Sequence, residues 1–252
     1  MRIARVRKEG KAPVYGMVKD DYIRVLVASP FDGMIVATSE TCSIDEVEFL
    51  PPCTPEKIVA VGLNYSDHAE ELGMPLPDEP LLFLKPPTTL IGHKGTIIRP
   101  DESSRVDYEA ELGIVIEKTA KNISIEDADK YIFGYTCIND VTARDIQEKD
   151  VQFTRSKSFD TFCPAGPWIE TEIDPSSLDI KCSVNGETRQ SSNTSKMIHS
   201  PQALVSFISS VMTLKPGDII ATGTPPGVGP LNSGDEVTIT IEGIGELTNT
   251  VK

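Results

Sequence analysis

Residues 108–116, Tyr-Glu-Ala-Glu-Leu-Gly-Ile-Val-Ile, open on two acids and run into an unbroken apolar stretch. This reads as a strand. Outward from it, most segments also read as strands. Upstream, RIARVR (2–7) and PVYGMVKDDYIRVLV (13–27) alternate apolar and polar residues about a turn at Lys19-Asp20-Asp21, and IVAVGLNY (58–65) is a short apolar strand. Downstream, YTCIND (135–140) is a strand ending in acid, LDIKCSVNGETRQ (178–190) a hairpin tipped by Asn185-Gly186, and DIIATGT, DEVTITIEG and GELTNTV close the chain. Helices are few. SDHAEELG (66–73) gives about two turns, with Asp67 as N-cap, Glu70 completing a capping box, Gly73 as the C-terminal cap and Pro75 blocking continuation. SIEDADKY (124–131) has a helical start. SPQALVSFISSVMTL (200–214) has Pro201 in its first turn and an apolar stripe of Leu204, Val205, Ile208 and Val211. The fold class expected is mixed α/β, β-rich, a roll or sandwich rather than a βαβ array.

The composition narrows the setting. The chain has 252 residues, 24 Lys or Arg and 38 Asp or Glu, for a formal charge of −14. Such acidity argues against nucleic acid or an anionic membrane as partner. No apolar run approaches a membrane span, and the basic N-terminus lacks the apolar core of a secretory signal, so a cytoplasmic location is expected. The five cysteines are dispersed and fit reduced thiols. Three prolines in LPPCTPEK (50–57) suggest a linker, which divides the chain into a small N-terminal β domain, 1–53, and a larger domain, 54–252.

Several residues carry chemistry. In a strand, Glu109 and Glu111 share a face. Two carboxylates in poorly solvated surroundings require a proton or a cation between them; from spacing alone, a solvated edge explains them at least as well. Asp140, at the end of its strand, is a possible third oxygen ligand, and three carboxylates select Mg²⁺ or Mn²⁺; taken alone it reads first as a turn former. His68 and Glu71, three apart on the short helix, share a face and suit water activation, or form an ordinary surface pair. The proline-rich MPLPDEP that follows could serve as a lid over them. Lys157, in a stretch read as irregular, either meets a substrate carboxylate or enolate or is solvated. TGTPPGVG (222–229) fits neither phosphate-binding glycine motif, and no calcium-binding loop is present.

Taken in order, VGLNYSDHAEE (61–71), FLKPPTTLIG (83–92), DYEAELGIVI (107–116), NDVTARD (139–145), SKSFDTFCPAGPW (156–168) and GDIIATGTPPGVG (217–229) resemble the fumarylacetoacetate hydrolase family, most closely its short acylpyruvate hydrolase/oxaloacetate decarboxylase and homoprotocatechuate isomerase/decarboxylase members. The resemblance implies that family's mixed β-roll, a homodimer and a Mg²⁺ or Mn²⁺ cofactor. By motif position it implies Glu109, Glu111 and Asp140 as metal ligands and His68, Glu71 and Lys157 as catalytic residues, with Arg144, Gln147 and Thr224 toward the substrate. Leu63 stands where some acylpyruvate hydrolase-type members carry Arg, a departure that bears on the substrate.

The activity expected is hydrolysis of a carbon–carbon bond in acylpyruvate-like 2,4-dioxo acids through a metal-bound enolate. The alternative is decarboxylation or isomerisation/tautomerisation of 2-oxo dicarboxylates such as oxaloacetate or 2-hydroxyhepta-2,4-diene-1,7-dioate. A non-catalytic metal- or sugar-acid-binding module on the same fold is the less favoured class, because neither the dyad nor any ligand carboxylate is missing.

Overall fold

The strand Ala110–Ile116 is buried along its whole length, which explains why its sequence runs apolar instead of alternating. Leu112, Ile114 and Ile116 enter the main core of the molecule, while Val115 points into a second core on the opposite face. At such sites each large aliphatic side chain contributes roughly 1.5–3 kcal/mol. Its neighbours are Ile132–Asn139 on one side and Ile219–Ala221 on the other, both antiparallel. Gly113 lies opposite Thr136 in this ladder. A Cβ there would sit 2.5 Å from Ile138 Cδ1, so the close approach requires glycine.

The computed structural model describes residues 1–252. From this centre the sheet extends to twelve strands. Toward one edge, Ile219–Ala221 pairs in parallel with Ile58–Val61, which pairs with Leu82–Lys85. Toward the other, Ile132–Asn139 pairs with Cys163–Glu170, and that strand takes up Arg2–Lys8. Arg2–Lys8, Val14–Lys19, Tyr22–Leu26 and Ala37–Ser43 then form an antiparallel meander, so the N-terminal strands prolong the main sheet. A five-stranded sheet runs Glu187–Asn193, Asp179–Val184, Glu236–Ile241, Gly245–Val251 and Thr96–Ile97. Its inward side chains, among them Ile180, Cys182, Ile239 and Leu247, fill the main core together with those of the long sheet. Thr142–Ala143, Val106–Tyr108 and Gly229–Pro230 make a small third sheet beside the acids at 109–111. The architecture is the β-rich mixed roll expected.

Helix α1 (Ser66–Leu72) forms where expected, but its cap differs. Tyr65 holds the N-cap position without a side-chain bond. Asp67 lies inside the helix, where its carboxylate accepts from Ser192 Oγ at 2.6 Å, a tertiary partner that the local pattern did not reveal. Gly73 ends the helix in the left-handed region, φ 63°, and closes it onto Ala69 and Glu70. Two further short helices, α2 (Arg144–Lys149) and α3 (Thr154–Lys157), occupy stretches where the sequence marks no helix; Lys157 is the last residue of the second. Neither has a side-chain cap, so no local signal marks its start. Residues Ile125–Tyr131 wind as a 3₁₀ helix.

Helix α4 (Pro201–Val211) is capped by Ser200, whose Oγ accepts from the Ala203 amide. Leu204, Val205 and Ile208 are fully buried, whereas Val211, expected on the same stripe, is the helix's last residue and faces solvent. Asn185 and Gly186 both take positive φ, 53° and 79°, as a two-residue hairpin turn requires. All five cysteines are free, and no helix is long and apolar enough to cross a membrane.

Candidate metal centre and pocket

Glu109 falls in the break between Val106–Tyr108 and Ala110–Ile116, and Glu111 lies one residue inside the second strand. Asp140 follows Asn139 at the end of the adjacent strand. Antiparallel register sets Ala110 opposite Asn139, which carries the three acids to one place. The Asn139 side chain accepts from the Glu109 amide, and the Asp140 amide donates to the Glu109 carbonyl, 2.9 Å each. One oxygen of each carboxylate lies within 4.8 Å of the others, and all three residues are buried.

Cations crowd this cluster. Lys157 Nζ donates to Glu109 Oε2 and Asp140 Oδ2, both at 2.7 Å. Arg144 binds Glu109, Asp107 and Gln147 at once. Lys85, 1% exposed, donates to Asp140 Oδ1. Burial resists ionisation of Glu109, but Lys157 and then Arg144 outweigh it and hold the carboxyl down at about 2. Lys157 is held above its ordinary value: burial opposes this, and Asp140 and Glu109 prevail.

Glu111 differs. Burial, then repulsion by Asp140 and Glu109, pushes its carboxyl well above the usual carboxylate range. Its one hydrogen bond is from the Gly223 amide, at 2.8 Å. An all-oxygen donor set whose third member is driven to hold a proton is one that a small divalent ion satisfies, and the hardness of the oxygens fits Mg²⁺ or Mn²⁺.

A cavity of about 330 Å³ opens on this cluster. Glu109, Glu111, Lys157, Arg144, Gln147, Thr224 and His68 lie on its wall. Asp140 is behind them and fully buried. His68 Nδ1 lies 2.7 Å from Glu71 Oε2, while the Gly227 amide donates to Glu71 Oε1. This joins the helix dyad to the glycine-rich 222–229 segment. Thr224 Oγ1 donates to the Ala110 carbonyl and accepts from Gln190. The residues expected to carry chemistry are therefore brought together, with Glu71 linked through His68. Arg144 and Thr224 have their polar atoms engaged within the protein.

Two participants were missed from the sequence, Lys85 and Asp107. Lys85 had a signal: a lone lysine closing the apolar strand Leu82–Lys85. Asp107, fully buried and held by Arg105 and Arg144, had none.

Residues 57–252 match the family described as fumarylacetoacetate (FAA) hydrolase C-terminal, and residues 1–52 that described as Rv2993c-like, N-terminal. The chain is 46% identical over 219 residues to the oxaloacetate tautomerase FAHD2A of Bos taurus, covering 82% of this chain and 70% of that protein. The structure of a 5-carboxymethyl-2-hydroxymuconate delta-isomerase from Mycobacterium smegmatis superposes with a TM-score of 0.94 at 42% identity, covering 100% and 99% of the two chains. A maleylpyruvate hydrolase from Sphingobium sp. SYK-6, solved with a manganese(II) ion and pyruvate, gives 0.84 at 33% identity, covering 100% and 98%.

Proposed function

The chain belongs to the fumarylacetoacetate hydrolase family, and on that premise we propose that it hydrolyses a carbon–carbon bond in acylpyruvate-like 2,4-dioxo acids with the help of Mg²⁺ or Mn²⁺. Members of this family are enzymes, including hydrolases, isomerases and tautomerases. The observation that carries hydrolysis is the 2.7 Å contact between Glu71 and His68, which shares the pocket wall with Glu109 and Glu111.

Glu109, Glu111 and Asp140 would hold the ion, which when bound supplies a Lewis acid to the oxygens of a 2-oxo acid. With Nδ1 engaged by Glu71, His68 has Nε2 available to take a proton from water, and Glu71 steadies the imidazolium that results. The hydroxide formed attacks the distal carbonyl. The carbon–carbon bond breaks toward the oxo-acid fragment, which leaves as an enolate and takes up the proton that His68 removed from water. Lys157 is a buried ammonium beside the place where that negative charge develops. Gln147 and Thr224 shape the wall that the substrate meets. A homodimer is part of the same proposal.

Cleavage of a series of acylpyruvates, followed by loss of their ultraviolet absorbance with Mg²⁺ present, tests this. The wild type should cleave them, and His68→Ala should lower kcat by about 10²–10⁴-fold. An inert wild type across all chain lengths, or an unimpaired mutant, removes hydrolysis.

The second reading is isomerisation, tautomerisation or decarboxylation of a 2-oxo dicarboxylate. The activities of the tautomerase and isomerase relatives, both more than 40% identical, favour it. An isomerase or tautomerase shifts the substrate's spectrum while releasing no second product.

A further inference from the structure

We infer that Gln190 is a positioning residue for this site. It pins the glycine-rich segment 222–229 so that two backbone amides of that segment hold Glu111 and Glu71. The carboxylate cluster and the His68 dyad are thereby fixed relative to each other. This rests on the proposal that cluster and dyad act on one substrate.

Gln190 is the one fully buried residue of Glu187–Asn193, an otherwise polar edge strand of the five-stranded sheet. The register shifts beside it. Cys182 pairs with Gln190 and Ser183 with Thr188, so Arg189 is an extra residue, and a bulge of this kind re-aims its neighbour's side chain. A buried carboxamide is costly unless hydrogen-bonded, and this one is filled. Its Oε1 accepts from the Ala110 amide at 3.0 Å, and Nε2 donates to Thr224 Oγ1 at 2.9 Å and to the Pro225 carbonyl at 2.8 Å. Ala110 is the residue between Glu109 and Glu111. One side chain therefore joins the strand that carries two acids to the middle of the glycine-rich segment.

From that middle the segment reaches both ways. The Gly223 amide donates to Glu111 Oε2 at 2.8 Å and leaves the other oxygen without a protein partner. The Gly227 amide donates to Glu71 Oε1 at 3.1 Å, and Glu71 holds His68. Neither glycine has room for a side chain. Their φ values are 94° and 93°, and a Cβ would lie 2.8 Å from Asn64 Cβ at 223 and 2.5 Å from the Arg189 carbonyl oxygen at 227. Glycine backbone is loose on its own, so the bonds from Gln190 to Thr224 and Pro225 are what set the stretch between the two amides. Without Gln190 the buried Ala110 amide and Pro225 carbonyl lose this partner, and the segment shifts to meet water.

The test is amide hydrogen exchange by NMR on the ion-free full chain, with calorimetric titration of Mn²⁺ beside it. Gln190→Met keeps the bulk and removes all three bonds. The Gly223 and Gly227 amides should then exchange about tenfold faster or more, while those of Ile114 and Val115 keep their protection. The Kd for Mn²⁺ should rise about 10–100-fold, as when an outer-shell partner is lost. Gln190→Glu, as a carboxylate, keeps the acceptor for Ala110 and loses both donors, so Ala110 should stay protected while Gly223 and Gly227 do not. It also serves where the Met variant does not fold. Ile239→Val, a core change in the same sheet, lowers stability without touching these bonds and should alter neither readout. Unchanged exchange at Gly223 and Gly227, or an unchanged Kd in folded Gln190→Met, overturns the inference, as does the same pair of changes in Ile239→Val. If the wild type binds no Mn²⁺, the metal centre is refuted, and exchange alone decides for or against Gln190. If both readouts respond but no acylpyruvate is cleaved, the positioning role is supported and hydrolysis alone is refuted.

Discussion

Lys85 and Asp140 form an ion pair in which neither side chain reaches solvent. They are 55 residues apart in the chain, one on the edge strand Leu82–Lys85 and the other just past the strand Ile132–Asn139. Asp140 thus has an ammonium on each oxygen, Lys85 on one and Lys157 on the other. Removing one partner from such a pair leaves a buried charge uncompensated, at a cost of roughly 3–5 kcal/mol. Lys85→Met, close in shape but neutral, should lose about that much stability in urea denaturation. A change below about 1 kcal/mol would mean that Lys157 alone satisfies the aspartate.

Ion binding should be visible as stability. Mn²⁺ at about 100 times its Kd adds roughly 2.7 kcal/mol. For a chain of this size that corresponds to a rise in Tm of roughly 5–10 °C, which a chelator reverses. Glu111→Gln keeps the shape and the Gly223 contact while removing the charge, so the variant should show little or none of the rise. A wild type whose Tm is indifferent to both Mn²⁺ and Mg²⁺ would speak against the metal centre.

The same binding should release protons. In the ion-free protein, burial and the repulsion of Asp140 and Glu109 raise the Glu111 carboxyl well above its ordinary value, so it holds a proton at pH values where a free glutamate is ionised. Ligation requires the carboxylate. Affinity for Mn²⁺ should therefore fall as the pH drops below that raised pKa and level off above it. Titrations in two buffers of different ionisation enthalpy should report a proton released per ion at mildly acidic pH, and none from Glu111→Gln. Equal heats in both buffers would show that Glu111 is already ionised.

Gly113 tests the centre of the fold. An added methyl would meet Ile138 at 2.5 Å, in a core without slack. Gly113→Ala should destabilise by about 1–3 kcal/mol, and Ile138→Val in the same chain should recover part of the loss. Additive effects in the double mutant would place the strain elsewhere.

Much of this protein was legible along the chain. Period-two alternation marked the N-terminal meander, the unbroken apolar run from Leu112 to Ile116 marked the strand buried on both faces, and Asn185-Gly186 marked the hairpin. Pro201 announced α4, and Gly73 the end of α1. These features depend on residues within one turn or one strand of each other, which is the range over which backbone sterics and capping act. The order of acid- and histidine-bearing motifs, through its resemblance to a family, also pointed to residues that the fold gathers around one pocket.

What was decided only in three dimensions has a common cause, which is the pairing of distant segments. Sheet register, set by burying both faces of Ala110–Ile116, places Asp140 against Glu109 and Glu111 and brings Lys85 and Lys157 to it from either side. Asp67 turned from an expected cap into a partner of Ser192 for the same reason, since a tertiary donor competes with a local one and no pattern in the sequence records the competition. The charge balance of the pocket is likewise a tertiary property: Arg144 and Lys157 are two cations in the sequence, and only the packing shows that the protein's own carboxylates already occupy them.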